Sequence, residues 1–227
     1  MDKRVANVQD ALAGVRSGMT VAVGGFGGAG FPRNLVSGLA MLDLRDLSLV
    51  SNNATRLESL ITRGSVARII CSYPFSGATR EFRQMIRDQG VVIDLLPQGT
   101  LAEKLRAAGA GLGGALLRVG RGTEFAEGRQ TVEIHGEEWI VEPALRPDVS
   151  LVSARSADRW GNLHMRGSGQ NFNVVMAMAA EVTVAETREI VPLGGLSPHD
   201  CHVPSIFVDQ VVCVPEPSSE GQRGAAS

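Results

Sequence analysis

Apolar positions along this chain follow two alternating rhythms. Short continuous runs, such as Val21-Ala22-Val23 and Leu47-Ser48-Leu49-Val50, read as buried strands. Between them, apolar residues recur at helical spacing. Val5, Val8, Leu12 and Val15 predict a first helix, closed by Gly18. A strand over 19–23 runs into a glycine loop, and Pro32 then opens a helix carrying Leu35, Val36 and Leu39. Further strands are expected over 47–50, 67–72 and 91–96. Helices are expected over 56–63, stopped by Gly64, and over 79–89, stopped by Gly90. Thr100-Leu101-Ala102-Glu103 matches a capping box and predicts the start of another helix. Strands alternating with helices predict an α/β fold with an open, mostly parallel sheet and helices packed on it.

The rhythm changes in the second half. Residues 108–114 are glycine-rich, and the runs 131–134 and 138–141 flank His135-Gly136-Glu137 as a β-hairpin would. Strands are expected over 149–154 and 163–165, around a turn at 158–162. A helix is expected over 174–180, with late strands over 182–185 and 206–214. No internal repeat or linker divides the chain, so one domain over 1–214 is expected. Residues 215–227 are small, polar and Pro/Gly-bearing, and read as a disordered tail.

Composition narrows the function. Of 227 residues, 44% are apolar and 20% charged, which supplies a core and argues against wholesale disorder. The formal charge of −2, with no basic block, offers no footprint for nucleic acid. Lys3 and Lys104 are the only lysines, and neither stands in a G-K-[ST] context, which removes the P-loop NTPases. Cys71, Cys201 and Cys213 are odd in number and far apart, as in a reducing compartment. The segment Met1-Asp2-Lys3-Arg4-Val5 opens no long apolar stretch, and no run is long enough to span a membrane. A soluble cytoplasmic protein is expected. Glycine, at 27 residues, is in excess, which suggests tight turns or a ligand approaching bare backbone.

The strongest local signal is Gly24-Gly25-Phe26-Gly27-Gly28-Ala29-Gly30. Gly25-x-Gly27-x-x-Gly30 after a strand fits the dinucleotide fingerprint, but the next strand ends in Ser51-Asn52-Asn53, without the carboxylate that holds a ribose. The residues favour a ligand whose phosphate or acyl end meets backbone N–H groups. Asn52, Asn53 and Gln98 stand at the carboxyl ends of successive predicted strands, where open α/β sheets bind ligands. Neutral amides there can donate to a developing oxyanion, and asparagine also favours turns for its own sake. Both readings stand on the residues alone. His199-x-x-His202, with Cys201 between, lacks the second ligand pair of a zinc site and reads as an ordinary loop; no metal is expected. His135 and His164 read as surface or packing residues. Glu124, Glu127 and Glu142 are possible acids, each beside a turn and open to a merely solvated role. No G-x-S-x-G elbow is present, so the chain offers a cradle without a convincing nucleophile.

From about Val5 to Val214 the sequence resembles the first subunit of the two-subunit, class I 3-oxoacid CoA-transferases. The resemblance is carried by Gly24-Gly25-Phe26-Gly27 with Gly30 and Pro32, by Ser51-Asn52-Asn53-Ala54, and by the stretch from Pro97-Gln98-Gly99-Thr100 to Arg106. Gly122-Thr123, Ala126-Glu127-Gly128, Asp158-Arg159-Trp160-Gly161-Asn162-Leu163, Asn171-Phe172-Asn173, and Pro204 with Ile206-Phe207-Val208 continue the series. The Asp-Arg-Trp-Gly-Asn form and Met176-Ala177-Met178-Ala179-Ala180 look most like the 3-oxoadipate branch. The resemblance implies that CoA passes from succinyl-CoA to a 3-oxoacid, 3-oxoadipate or acetoacetate. It would pass through a glutamyl thioester on a partner, the second CoA-transferase subunit, in a heterodimer or heterotetramer. The resemblance implies no tightly bound cofactor, with CoA and acyl-CoA as substrates. It also implies that Gly24 to Gly30 is the CoA-associated loop, and that Asn52, Asn53 and Gln98 line the active site.

Some positions depart from the family pattern. Thr55 stands where glycine usually follows Ser-Asn-Asn-Ala, and the segment after it is about four residues shorter than usual, in a region where loops accept deletions. Leu117-Arg118-Val119-Gly120 replaces a common Thr-Pro-Thr-Gly, and Ser205 a common glycine. A hydrolase of CoA thioesters or of C–C bonds on the same two-subunit fold, and a non-catalytic acyl-CoA-binding protein, are the alternative readings.

Overall fold

The computed structural model describes residues 1–214; the expected tail at 215–227 lies outside the described residues. Eight strands form one parallel sheet: β1 (Arg4–Val5), β2 (Thr20–Val23), β3 (Leu47–Val50), β4 (Val66–Cys71), β5 (Val92–Leu95), β9 (Val149–Ala154), β12 (Val182–Thr187) and β14 (Gln210–Cys213). Their order is β1-β14-β12-β9-β2-β3-β4-β5. Between β5 and β9 come β6 (Gly114–Leu117), β7 (Thr131–Ile134) and β8 (Glu137–Pro143), an antiparallel sheet in the order β6-β8-β7. A third small sheet joins β10 (Ser156–Asp158), β11 (Leu163–His164) and β13 (Ile190–Val191).

Side chains that alternate along a strand serve two cores. Val21 and Val23 of β2 face one cluster and Ala22 the other; in β3, Leu47 and Leu49 oppose Val50. Helices α1 (Val8–Leu12), α2 (Arg33–Leu39), α3 (Glu58–Thr62) and α4 (Arg80–Asp88) cover the first face with Leu12, Leu35, Leu60 and Phe82. Helices α5 (Gln98–Gly109) and α6 (Asn171–Ala179) cover the other with Leu101, Leu105 and Met176. The strands read as continuous apolar runs because both faces are buried. No helix among the described residues is long and apolar enough to cross a membrane.

Several elements differ from expectation. The first predicted helix is confined to Val8–Leu12, because Arg4–Val5 is drawn into the sheet as β1, pairing Val5 with Val212. Asn7 then caps the helix by accepting from the Asp10 N–H. The predicted helix over 56–63 is a 3₁₀ turn, Ala54–Leu57, followed by α3. The capping box at Thr100 is not formed. Helix α5 opens earlier, at Gln98, since Pro97 already holds a fixed φ before it, and Thr100 Oγ1 is buried without a partner. The glycine-rich segment gains a strand, β6, which joins the predicted hairpin. The late strand expected over 206–214 is a 3₁₀ turn at Ser205–Phe207 and then β14.

Candidate active site

At the end of β2 the chain enters the glycine loop. Phe26 and Ala29 exchange backbone hydrogen bonds of 3.0 and 3.1 Å, so Gly27 and Gly28 form the tip of a two-residue hairpin. The loop is held from below by α6. Buried Asn173 accepts from the Ser153 N–H at 3.1 Å and donates to Gly30 O at 2.9 Å and Gly169 O at 2.8 Å. Asn171 Nδ2 donates to Ala29 O at 3.0 Å. This clamp explains two glycines. A Cβ on Gly24 would overlap Asn173 Oδ1, and one on Gly30, at φ +66°, would stand 2.6 Å from Gly169 O. The motif Asn171-Phe172-Asn173 is visible in the sequence, but its structural part is not. The signal available is a pair of asparagines in an otherwise apolar helix, where a side-chain amide needs a backbone partner. Asn173→Ala leaves those backbone groups unpaired and is expected to cost about 2–3 kcal/mol. A thermal melt equal to the wild type's would show that the clamp is dispensable.

The three amides singled out from the sequence meet at one place. Gln98 Nε2 donates to Asn52 Oδ1 at 2.9 Å, Asn52 Nδ2 donates to Asn53 Oδ1 at 2.7 Å, and the Gly27 N–H donates to the same Oδ1 at 3.2 Å. The backbone donor sets every orientation in this chain of amides. Because Gly27 offers only an N–H, Asn53 must turn its oxygen toward it. Asn52 must then present nitrogen to Asn53 and oxygen to Gln98, and Gln98 must present nitrogen. Among the described residues the second N–H of Gln98 and the Asn53 amide nitrogen have no partner, which leaves them to a ligand. Asn52 is wholly buried, while Asn53 and Gln98 are half-buried. Gln98 is also the first residue of α5, where unpaired backbone N–H groups and the helix dipole favour negative charge.

Asn53 and Gly27 border a cavity of about 400 Å³ together with Thr55, Arg56 and Ser76. Thr55, the departure from the family pattern, therefore lies against the site. Arg56 reaches back to the glycine loop, where a Cβ on Gly28 would be 3.3 Å from its Nη2.

Other candidates fall elsewhere. Burial, with a smaller push from the Asp94 charge, raises the Cys71 thiol at the end of β4 to about 12, so it is not a thiolate nucleophile. His164 and His202 stack with ring centroids 5.1 Å apart, and His202 Nδ1 accepts from the Met165 N–H. No group of three His, Cys, Asp or Glu side chains gathers in a metal-binding arrangement among the described residues. His135 occupies the β7–β8 turn at φ +53°. Glu124 and Glu127 are exposed, as a solvated role requires. Glu142 is not solvated: it is 2% exposed and paired with Lys104 and Arg129 at 2.7 and 2.6 Å.

Comparison with known proteins agrees with this architecture. The family model described as Coenzyme A transferase matches residues 5–214. The chain is 39% identical over 218 residues to one subunit of the 3-oxoadipate CoA-transferase of Pseudomonas putida, covering 94% of each. It is 40% identical over 215 residues to one subunit of the succinyl-CoA:3-ketoacid coenzyme A transferase of Xanthomonas campestris, covering 92% of this chain and 88% of that one. Among solved structures, a variant of the decarboxylase AibA/AibB superposes with a TM-score of 0.81 at 29% identity, over 95% of this chain and 84% of that one. A glycine loop and an amide cluster at the carboxyl ends of a parallel sheet, and matches over nearly the whole described length, place the chain in the coenzyme A transferase family.

Proposed function

We propose that this chain is the first of the two subunits of a cytoplasmic 3-oxoacid CoA-transferase. It moves CoA from succinyl-CoA to 3-oxoadipate or acetoacetate, in a heterodimer or heterotetramer with the second subunit. The observation that carries the reading is the amide chain from Gln98 to Gly27. It supplies oriented neutral donors, while Cys71, at the end of the neighbouring strand β4, is held protonated by burial. Such donors can stabilise the oxyanion formed when a carboxylate attacks a thioester carbonyl, and the second subunit would bring that carboxylate on a glutamate. The attack would expel the CoA thiolate and leave a succinyl–glutamyl anhydride; the thiolate would then attack the glutamyl carbonyl, releasing succinate and leaving a glutamyl thioester of CoA. The incoming 3-oxoacid carboxylate would run the same two displacements in reverse, taking CoA and freeing the glutamate; covalent carriage of this kind gives ping-pong kinetics. The loop Gly24 to Gly30 would meet the CoA end of the thioester, Asn53 and Gln98 its reacting carbonyl, and the buried Asn52 would orient both amides.

The test is reconstitution. The chain alone is expected to catalyse no exchange between succinyl-CoA and 3-oxoadipate. Addition of the second subunit is expected to produce 3-oxoadipyl-CoA and succinate with parallel-line kinetics. Exchange by the lone chain would end the two-subunit reading. Release of free CoA without an acceptor ester would replace transfer by hydrolysis.

A further inference from the structure

The strand order places a switch in the sheet between β9 and β2. From β2 the chain moves through α2 to β3 on one side; from β9 it moves through α6 to β12 on the other. The two helices lie on opposite faces. Adjacent connections that leave in opposite directions open a crevice beyond the carboxyl ends of their strands, the preferred ligand position in open α/β sheets.

That crevice here consists of two adjoining cavities of about 460 and 350 Å³, which share Gly30, Ser153 and Arg188. Each falls within the range of roughly 300–1,000 Å³ common to small-molecule sites. They are lined by four arginines drawn from different elements: Arg33 at the start of α2, Arg155 just after β9, Arg166 before the Gly167 turn, and Arg188 after β12. The one carboxylate in their lining, Glu186, is buried and turned inward, accepting from the Asn34 and Leu35 N–H groups at 2.9 Å each. The guanidinium groups of Arg33, Arg155 and Arg166 are exposed and make no hydrogen bond or ion pair among the described residues. The Glu186 charge acts on Arg188, so three of the four cations, Arg33, Arg155 and Arg166, stand around the crevice without a carboxylate partner among the described residues. Like charges so gathered repel one another unless an anion joins them, and arginine forks match phosphate oxygens in pairs.

We propose that this arginine-lined crevice binds the pyrophosphate and 3′-phosphate of the CoA thioester. The inference rests on the CoA-transferase reading above and adds the residues that hold the nucleotide end. The hairpin Gly27-Gly28 would lie between the two ends of the ligand. Gly27 borders the cavity with Asn53, and Gly28 and Gly30 border the arginine crevice. The thioester would then lie toward the amides with its phosphates on the other side of the loop.

The double variant Arg155→Gln/Arg166→Gln, assembled with the second subunit, tests this. The KM for succinyl-CoA is expected to rise at least about tenfold, since each lost charge-assisted bond to phosphate is worth that order. The kcat should stay within about twofold, and the wild-type KM should rise with salt as screening weakens the contacts. Succinyl-pantetheine, which lacks the nucleotide, should be used equally well by both enzymes. An unchanged KM for succinyl-CoA, or equal losses on both thioesters, would overturn the assignment. So would weakened assembly of the two subunits, which would make the arginines a docking surface. Calorimetric titration of the complex with 3′-phosphoadenosine 5′-diphosphate separates this failure from that of the transferase reading. Arginine-dependent binding without CoA exchange would keep the site and discard the reaction. Exchange with arginine-independent binding would do the reverse.

Discussion

Gln98→Ala in the two-subunit complex is expected to lower kcat by about 10²–10³, the usual effect of removing one oxyanion donor. The fixed orientation of the amides makes the loss specific to Gln98. Gly27 forces the amide chain to end on Gln98 nitrogen, so its second N–H is a preset donor that needs no reorganisation during reaction. Alanine keeps the helix start, being a good helix former in the first turn of α5, but it leaves the buried Asn52 Oδ1 without its donor, so a stability loss of about 1–3 kcal/mol should accompany the fall in kcat without unfolding the protein. The KM for the CoA thioester should change little, because the bond is needed most when charge develops on the carbonyl oxygen. Gln98→Glu, similar in size, should be at least as damaging, since it replaces the donor with an anion. Asn52→Ala removes only the link that orients Gln98 and should cost less than Gln98→Ala, with partial recovery in Asn52→Asp, which keeps an acceptor for Gln98. If turnover survives in Gln98→Ala, the amide is a turn residue and its oxyanion role is wrong.

Glu142→Ala is expected to produce the largest loss of stability. The carboxylate ties β8 to α5 through Lys104 and reaches Arg129 through its other oxygen. Lys104 retains only 14% of its side-chain exposure, so truncating Glu142 leaves a nearly buried ammonium without a counter-charge. Breaking such a pair costs about 3–5 kcal/mol, and the one-third exposure of Arg129 places the expected loss at the lower end. For a chain of this size that is a fall in Tm of roughly 6–12 °C. Burial pushes the Glu142 carboxyl up, but hydrogen bonds and charge from Lys104 and Arg129 outweigh it and hold the carboxyl below its ordinary range. A group depressed on folding contributes stability above its unfolded pKa and loses it as pH falls through the lower folded value. The wild type should therefore lose this advantage only in acid, below the ordinary glutamate range, where wild type and variant should converge. A gap in Tm that is absent at neutral pH would show that Glu142 contributes nothing net, and one unchanged in acid would show that the loss does not arise from the carboxylate's charge. Lys104→Met added to Glu142→Leu should recover part of the loss by replacing the charges with apolar volume.

The alternating fold was legible because each strand is buried on both faces and each helix carries one apolar stripe, so local periodicity and tertiary burial coincide. Where they did not coincide, the sequence misled. Val5 fits a helical stripe with Val8 and Leu12, yet its backbone pairs with Val212, more than 200 residues away in the chain. Thr100 and Glu103 have capping-box spacing, but Pro97 starts the helix first. Glu142 stands beside a proline, as a solvated turn residue might. Its burial depends on Lys104 and Arg129, which only the packing of β8 against α5 brings near.

The site divides in the same way. By itself the sequence determined the glycine loop and the three amides at strand ends, because glycine and asparagine in those positions express local backbone demands and topological place. Only the tertiary structure decided that Gln98, Asn52, Asn53 and Gly27 form one hydrogen-bonded chain with a single consistent orientation. It also decided that Asn173 on α6 holds the loop, and that four arginines spread from position 33 to 188 line one crevice. Hydrogen bonds act over about 3 Å and screened charges over about 10 Å, whereas these partners are brought together by strand order, which no local pattern encodes.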